Sequence, residues 1–173
     1  MAEIIQPYIK NYISPEDSVL DLGCGNGASL RNFKMKYSMG IDIWEQYLPM
    51  AKDVYTEVKQ YDIRKILEII KPNSFDVVLA IDIIEHLERG EGKKLICDMI
   101  SISTKCVIIY TPLTFSDNIK NVIGTWAKGN PYQIHKSLWV EEDFKIHGFK
   151  MQYYPNPQVR EGIVAVKYVH WDV

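Results

Sequence analysis

Residues 19–27 read Val-Leu-Asp-Leu-Gly-Cys-Gly-Asn-Gly. An apolar stretch of strand character runs straight into three glycines at alternate positions, and a helical pattern follows. Without a Cβ, the backbone at such a turn can adopt positive φ and let a ligand approach closely. A helix starting just beyond it would offer unpaired N–H groups and a partial positive charge. Strand, glycine turn and helix start together predict a socket for a polar or anionic group. A dinucleotide site usually spaces its glycines Gly-x-Gly-x-x-Gly. Here the spacing is Gly23-x-Gly25-x-Gly27, with Ala28 where the third dinucleotide glycine would stand.

The rest of the chain alternates in a way that suits this start. Ile4, Ile5, Tyr8, Ile9, Tyr12 and Ile13 recur at helical spacing, which predicts a short amphipathic helix within residues 1–14. Strands are expected at Val19–Leu22, Tyr37–Ile43, Thr56–Tyr61, Phe75–Ile81 and Lys105–Thr111, with helices at Ala28–Met35, Glu45–Asp53, Arg64–Ile70 and Gly92–Ser101 between them. Phe75–Ile81 is nearly all apolar, as in a strand covered on both faces. This alternation predicts a doubly wound, mostly parallel α/β sheet. Late in the chain the order changes. A helix over Trp139–His147 is followed by strands at Phe149–Tyr154 and Gly162–Val169, joined by a loop at Pro155–Glu161 too short for a parallel crossover. The sheet is therefore expected to have seven strands and to close with a C-terminal antiparallel hairpin. Thr114–Ser137 is the least regular stretch, with a helix expected at Asn118–Trp126.

The bulk properties fit one domain over residues 1–173, with 47% hydrophobic residues and a net charge of −2. The cofactor-binding half is expected at 18–111 and the substrate-side half at 112–173. No basic excess points to nucleic acid. Cys24, Cys97 and Cys106 show neither metal nor redox spacing, and the N-terminus lacks a signal-peptide pattern, so a reduced, cytoplasmic protein is expected. The longest apolar run is broken by Asp76 and Asp82 and is too short to span a bilayer.

Acidic residues end several of the expected strands. Asp42 closes the second, where a carboxylate is placed to accept from both ribose hydroxyls of a nucleoside. Alone it would read as a solvated loop residue; the glycine turn upstream makes it functional. Asp62 follows the third strand, and capping of the next helix is one reading of it. Asp82 follows the fourth, in the string Asp82-Ile83-Ile84-Glu85-His86-Leu87. Asp21 lies inside an apolar strand, where an unpaired carboxylate is costly, so it needs a partner. In an open α/β sheet ligands bind beyond the carboxyl ends of the strands, and all of these groups fall there.

The pattern Asp21-x-Gly23-x-Gly25-x-Gly27, with Asp42, Asp62 and the Glu85-His86-Leu87 segment at these distances, resembles the class I S-adenosylmethionine-dependent methyltransferases of the small-molecule type. The likeness covers Ser18 to Thr111 closely and the remainder by topology. It implies S-adenosyl-L-methionine as cofactor and S-adenosyl-L-homocysteine as product. The cofactor-binding set it implies is Asp21, Gly23, Cys24, Gly25, Asp42, Ile43, Asp62, Ile63 and Ala80. In that set Asp21 meets the methionine ammonium directly or through water, Asp62 accepts from the adenine amino group, and Ile63 packs on the ring. A hydrogen bond from Asp21 to the glycine loop is the alternative for that residue.

A sulfonium methyl is already activated, so alignment and exclusion of water carry most of the catalysis. A base is needed only for an acceptor that arrives protonated. His86 is the first candidate, with packing beneath the cofactor as its other role, and His135 is the second. The four histidines show no ligand spacing, so no metal is expected. Asn130-Pro131-Tyr132 resembles a motif of amino-methylating nucleic-acid enzymes, but it stands after the fifth strand rather than the fourth and lacks one proline. The expected partner is a small-molecule acceptor, with neither nucleic acid nor membrane, and a homodimer is a further expectation. Two other readings stand beside this one: a non-catalytic methyltransferase-like domain binding a nucleoside or a protein, and a dinucleotide-dependent oxidoreductase.

Overall fold

The computed structural model describes residues 5–114, 129–154 and 161–169. Seven strands form one sheet: β1 (Ser18–Leu22), β2 (Tyr37–Asp42), β3 (Glu57–Gln60), β4 (Phe75–Ile81), β5 (Ser103–Pro112), β6 (Lys150–Tyr154) and β7 (Gly162–Tyr168). Their spatial order is β3-β2-β1-β4-β5-β7-β6. All neighbours are parallel except β5–β7 and β6–β7. The expected doubly wound sheet with its terminal antiparallel pair is present. The strand order reverses between β1 and β4, which is where such sheets open a crevice.

Successive strand side chains point to opposite faces, and the core divides accordingly. Leu20, Leu22, Val78, Ala80, Val107 and Ile109 face one side, where they meet Leu95, Ile96 and Met99 of helix α3 (Arg89–Ile102) together with Trp139 and Phe144. Val19, Val77, Leu79, Cys106 and Ile108 face the other, against Leu30, Ala51, Tyr55 and the N-terminal residues Ile5, Ile9 and Ile13. These three isoleucines follow a four-residue spacing, so the expected amphipathic face is real. The helix itself, α1, is only Gln6–Ile9.

The helices are where sequence and structure part. No helix occupies 28–35. The chain there makes successive turns, with Leu30 N–H donating to Gly27 O (3.3 Å) and Phe33 N–H to Leu30 O (2.9 Å). Side chains take over the backbone's partners: Asn26 Oδ1 accepts from Ala28 N–H (3.2 Å), Gln6 Nε2 donates to Ala28 O (2.9 Å), and the Ser29 hydroxyl turns inward to Asp21. Such local bonds compete with a helical ladder. The glycine turn is therefore not followed by a helix N-terminus, and the electrostatic part of the predicted socket is absent. Elsewhere the helical stretches are shorter or tighter than expected. Glu45–Tyr47 is 3₁₀ and leads into α2 (Leu48–Ala51), and Ile63–Glu68 is 3₁₀ with a kink at Lys65. The helix expected from Trp139 is α4 (Glu141–Lys145), because Trp139 and Val140 remain extended and Asp143 Oδ2 accepts from Val140 N–H at 3.0 Å. The helix expected at 118–126 and most of the loop expected at 155–161 lie outside the described residues. Among the described residues no helix is long and apolar enough to cross a membrane.

Candidate active site

The carboxyl ends of β1, β2, β3 and β4 meet at one cleft. Gly23, Asp42, Ile43, Asp62, Ile63 and His86 line it, and Asn130, Tyr132, Gln133 and Lys136 close it from the opposite side. The chain leaves β4 through Asp82, whose φ of +55° is unusual for a residue with a side chain. The turn brings Ile83 beneath the glycine loop. A Cβ on Gly23 would stand 1.9 Å from Ile83 Cδ1, so only glycine fits there. At Gly25 (φ +52°) a Cβ would meet nothing within 4 Å, so the loop opens onto free space on that side.

Asp42 does two things. It is 7% exposed, with Oδ2 accepting from Gly25 N–H (2.8 Å) and Oδ1 from Trp44 N–H (2.8 Å). It thus pins the glycine loop, a structural role beside the ligand-binding one expected from the sequence. Each oxygen keeps a further lone pair for a ligand hydroxyl. Burial pushes its pKa up, against the pull of the Trp44, Gly25 and Ile43 backbone N–H groups and the nearby His86.

Asp21 is 1% exposed and does not line the cleft. Its partners within the chain are two hydroxyls rather than the backbone of the glycine loop, whose Gly25 N–H goes to Asp42. Oδ2 accepts from the Ser29 and Tyr55 hydroxyls, both at 2.6 Å. Oδ1 is buried and has no hydrogen-bond partner among the described residues. Burial raises its pKa to about 6, opposed by the Ser29 and Tyr55 hydrogen bonds and assisted by the charge on Asp42.

Asp62 caps the turn that follows β3, accepting from Arg64 N–H (3.0 Å), and it also holds the Arg64 guanidinium through Nε and Nη2 (2.6 Å to Oδ2). The capping reading holds, and the carboxylate still borders the cleft. Ile43 and Ile63 supply its apolar faces. Cys24 and Ala80 do not reach it. Ala80 is fully buried, facing the α3 side of the sheet as strand alternation dictates. Cys24 turns into the opposite core layer, where burial pushes its thiol pKa far up and leaves no thiolate.

Two histidines far apart in sequence come together. The rings of His86 and His135 stand edge to face, 4.9 Å between centroids. His86 lines the cleft, whereas His135 is buried behind it at 7% exposure. His86 Nδ1 lies 3.2 Å from Ile134 O. Glu85 sits beside the pair, with Oε2 accepting from the Thr111 hydroxyl (3.0 Å) and its backbone carbonyl accepting from the N–H groups of Lys136 (2.8 Å) and Ser137 (3.1 Å). Sequence reasoning singled out both histidines but not their proximity; it carried Ile83, Glu85, Asn130 and Tyr132 only within short strings, and it gave Arg64, Gln133 and Lys136 no place in the site.

The geometry has clear parallels. Residues 20–98 match the model of a methyltransferase domain. The magnesium protoporphyrin IX methyltransferase of Synechocystis, solved with bound S-adenosylhomocysteine, superposes with a TM-score of 0.69 at 14% identity, over 98% of this chain and 81% of that one. The fold of this chain is thus the one found in S-adenosylmethionine-dependent methyltransferases. A SAM-dependent methyltransferase from Archaeoglobus fulgidus superposes with a TM-score of 0.64 at 18% identity, over 96% of this chain and 95% of that one. In sequence the chain is 30% identical over 158 residues to the uncharacterized protein MJ0638 of Methanocaldococcus jannaschii. That match takes in 87% of this chain and 63% of the relative, so the chain spans less than two thirds of the relative's length.

The Synechocystis structure holds S-adenosylhomocysteine, and part of the cleft here has the chemistry to receive such a molecule. Asp42 has spare acceptor capacity for a ribose, and Ile43 and Ile63 flank an apolar slot; beside the cleft, Gly25 opens onto free space, and Asp21 Oδ1, outside the lining, is a buried acceptor with no hydrogen-bond partner among the described residues.

Proposed function

We propose that this chain transfers a methyl group from S-adenosylmethionine to a small-molecule acceptor. The observation that carries the reading is the convergence of four separate chain segments on one cleft, at the carboxyl ends of β1 to β4. Bound there, the cofactor supplies a sulfonium methyl that needs no further activation. The chain's own residues hold and enclose. Asp42 accepts from the ribose hydroxyls while keeping the glycine loop in place. Asp62 accepts from the adenine amino group, held still by Arg64. Asp21 offers its Oδ1 to the methionine ammonium, directly or through water. Ile43, Ile63 and Ile83 keep water from the slot, which strengthens every polar contact inside it. His86 is the cleft group able to take a proton from an acceptor that arrives protonated, and His135 stands behind it.

A net charge of −2 gives nucleic acid no general foothold, and the three free cysteines suit the reducing cytoplasm. Isothermal titration of the chain with S-adenosylmethionine and S-adenosylhomocysteine tests the reading. Binding of both at micromolar concentrations is expected. No heat up to millimolar concentrations overturns it.

A further inference from the structure

Glu85, His86 and His135 each bring one ligand-type atom, a carboxylate oxygen or a ring nitrogen, into a group in which all three lie within 4.8 Å of one another. We propose that they bind a divalent first-row transition-metal ion at the edge of the cofactor cleft. Two imidazoles and one carboxylate make a familiar donor set for zinc and its neighbours. Ligands on one such ion stand roughly 3–3.5 Å apart, given metal–ligand bonds of about 2.0–2.2 Å. Small side-chain rotations therefore close the set.

The surroundings are built for ligation. Imidazoles that bind metal through one nitrogen commonly donate the other N–H to a carbonyl, which fixes the tautomer. His86 has Ile134 O at 3.2 Å from Nδ1, and an Nδ1–H donating there places the ring's lone pair on Nε2. The Thr111 hydroxyl steadies Glu85 by donating to Oε2. The Lys136 and Ser137 N–H groups clamp the His135 segment onto the Glu85 carbonyl, so ligands that are 49 residues apart along the chain are fixed relative to each other. Two nitrogens among three ligands favour zinc, cobalt or nickel over magnesium, calcium or manganese, which prefer oxygen-rich shells.

Three protein ligands leave at least one position open. His86 belongs to the cleft wall, so the open position takes an oxygen of the acceptor, a hydroxyl or carboxylate. A metal-bound hydroxyl loses its proton more readily, and His86 then holds the ion rather than the proton. That last step rests on the methyl-transfer reading, while the ion site itself does not.

The test is titration of the untagged, chelator-treated chain with Co²⁺, read by its visible absorption and by calorimetry. One ion per chain at micromolar concentrations is expected, with magnesium unable to displace it. His86→Ala and His135→Ala should each weaken binding at least tenfold, and His147→Ala should leave it unchanged. The milder His135→Gln serves where alanine disturbs packing. Wild-type chain that takes no Co²⁺ at millimolar concentrations overturns the proposal, as does binding that survives both histidine changes. S-adenosylhomocysteine titrated into the metal-free chain separates the two ideas. Retained cofactor binding without Co²⁺ uptake sinks only the ion site, and Co²⁺ uptake without cofactor binding sinks only the methyl-transfer reading.

Discussion

The two rims of the sheet use the same residue type to opposite ends. At the amino-terminal rim Asp17 and Asp76 are satisfied by the fold itself. Lys105 Nζ and Ser14 N–H donate to Asp17 Oδ2 at 2.6 and 2.7 Å. Asp76 takes the Ser18 N–H (2.8 Å), the Ser18 hydroxyl (2.7 Å) and the Thr104 hydroxyl (3.0 Å). Burial pushes the Asp76 pKa up, but these bonds and the Lys105 charge outweigh it and hold the carboxyl below its ordinary value. At the carboxyl-terminal rim the balance reverses. Asp21 and Asp42 are both raised by burial, and Asp21 keeps an unmatched oxygen. One rim stitches strands together; the other holds polar groups at a cost that a ligand can repay.

The sharpest way to break this contrast is to fill the opening at the functional rim. Gly25→Val puts a branched side chain into the free space beside the loop, at a φ of +52° that valine tolerates poorly. Affinity for S-adenosylhomocysteine should fall at least a hundredfold by calorimetry. The circular dichroism spectrum should be unchanged and the cost in stability about 1–2 kcal/mol. Normal affinity would mean that the space is not the ligand's.

The second test uses pH. Asp21 binds its proton more tightly in the folded chain, with a pKa of about 6 against an ordinary 3.8. Its contribution to stability is therefore complete below about pH 3.8 and disappears as the pH rises through 6. The change amounts to about 3 kcal/mol. Asp21→Asn keeps an acceptor for Ser29 and Tyr55 but carries no charge. Denaturant unfolding from pH 4 to 7.5 should show the variant gaining on the wild type across this window while its cofactor affinity drops. Parallel pH profiles would remove Asp21 from the costly rim.

A paired substitution then separates the rims directly. Asp76→Ala strands the Ser18 and Thr104 donors and should cost about 2–3 kcal/mol of stability with cofactor affinity intact. Asp42→Ala should cost less stability, about 1–2 kcal/mol from the released Gly25 and Trp44 N–H groups. It should weaken cofactor binding ten- to a hundredfold, through the loss of a charge-assisted acceptor worth about 1.5–3 kcal/mol. Equal effects of the two changes on affinity would erase the distinction.

The rims were not equally legible in the sequence. Strand positions were, because buried parallel strands such as Phe75–Ile81 read as nearly continuous apolar runs, and the acidic residues at their ends followed from the sheet's directionality. Side-chain aim was harder: Cys24 stands one position from Gly23 of the cleft, and Ala80 lies near the end of β4, yet both face the core. The helix expected after the glycine turn failed because Asn26, Gln6 and Ser29 make bonds that a periodicity count cannot see. The meeting of His86 with His135 was hidden by the 48 residues between them and depends on backbone bonds from the Lys136 segment to Glu85. No local spacing encodes that.

The smallest expected effect concerns Asp62, which belongs partly to each kind of carboxylate. It caps a turn and holds Arg64, as a structural group does, yet it borders the cleft. Asp62→Ala removes the cap, worth about 1 kcal/mol, and a half-exposed ion pair worth little more. Asp62→Asn keeps a side-chain oxygen for the cap but loses the charge. If the residue only caps, alanine lowers the melting temperature by a few degrees, asparagine restores most of it, and both bind S-adenosylhomocysteine like the wild type. If it also accepts from the adenine amino group, alanine weakens binding several-fold while asparagine recovers part of the loss. Adenosine and inosine, compared by competition on the wild type and both variants, decide the matter. Inosine lacks the amino group, so the wild type's preference for adenosine should shrink in the alanine variant only if Asp62 reads that group.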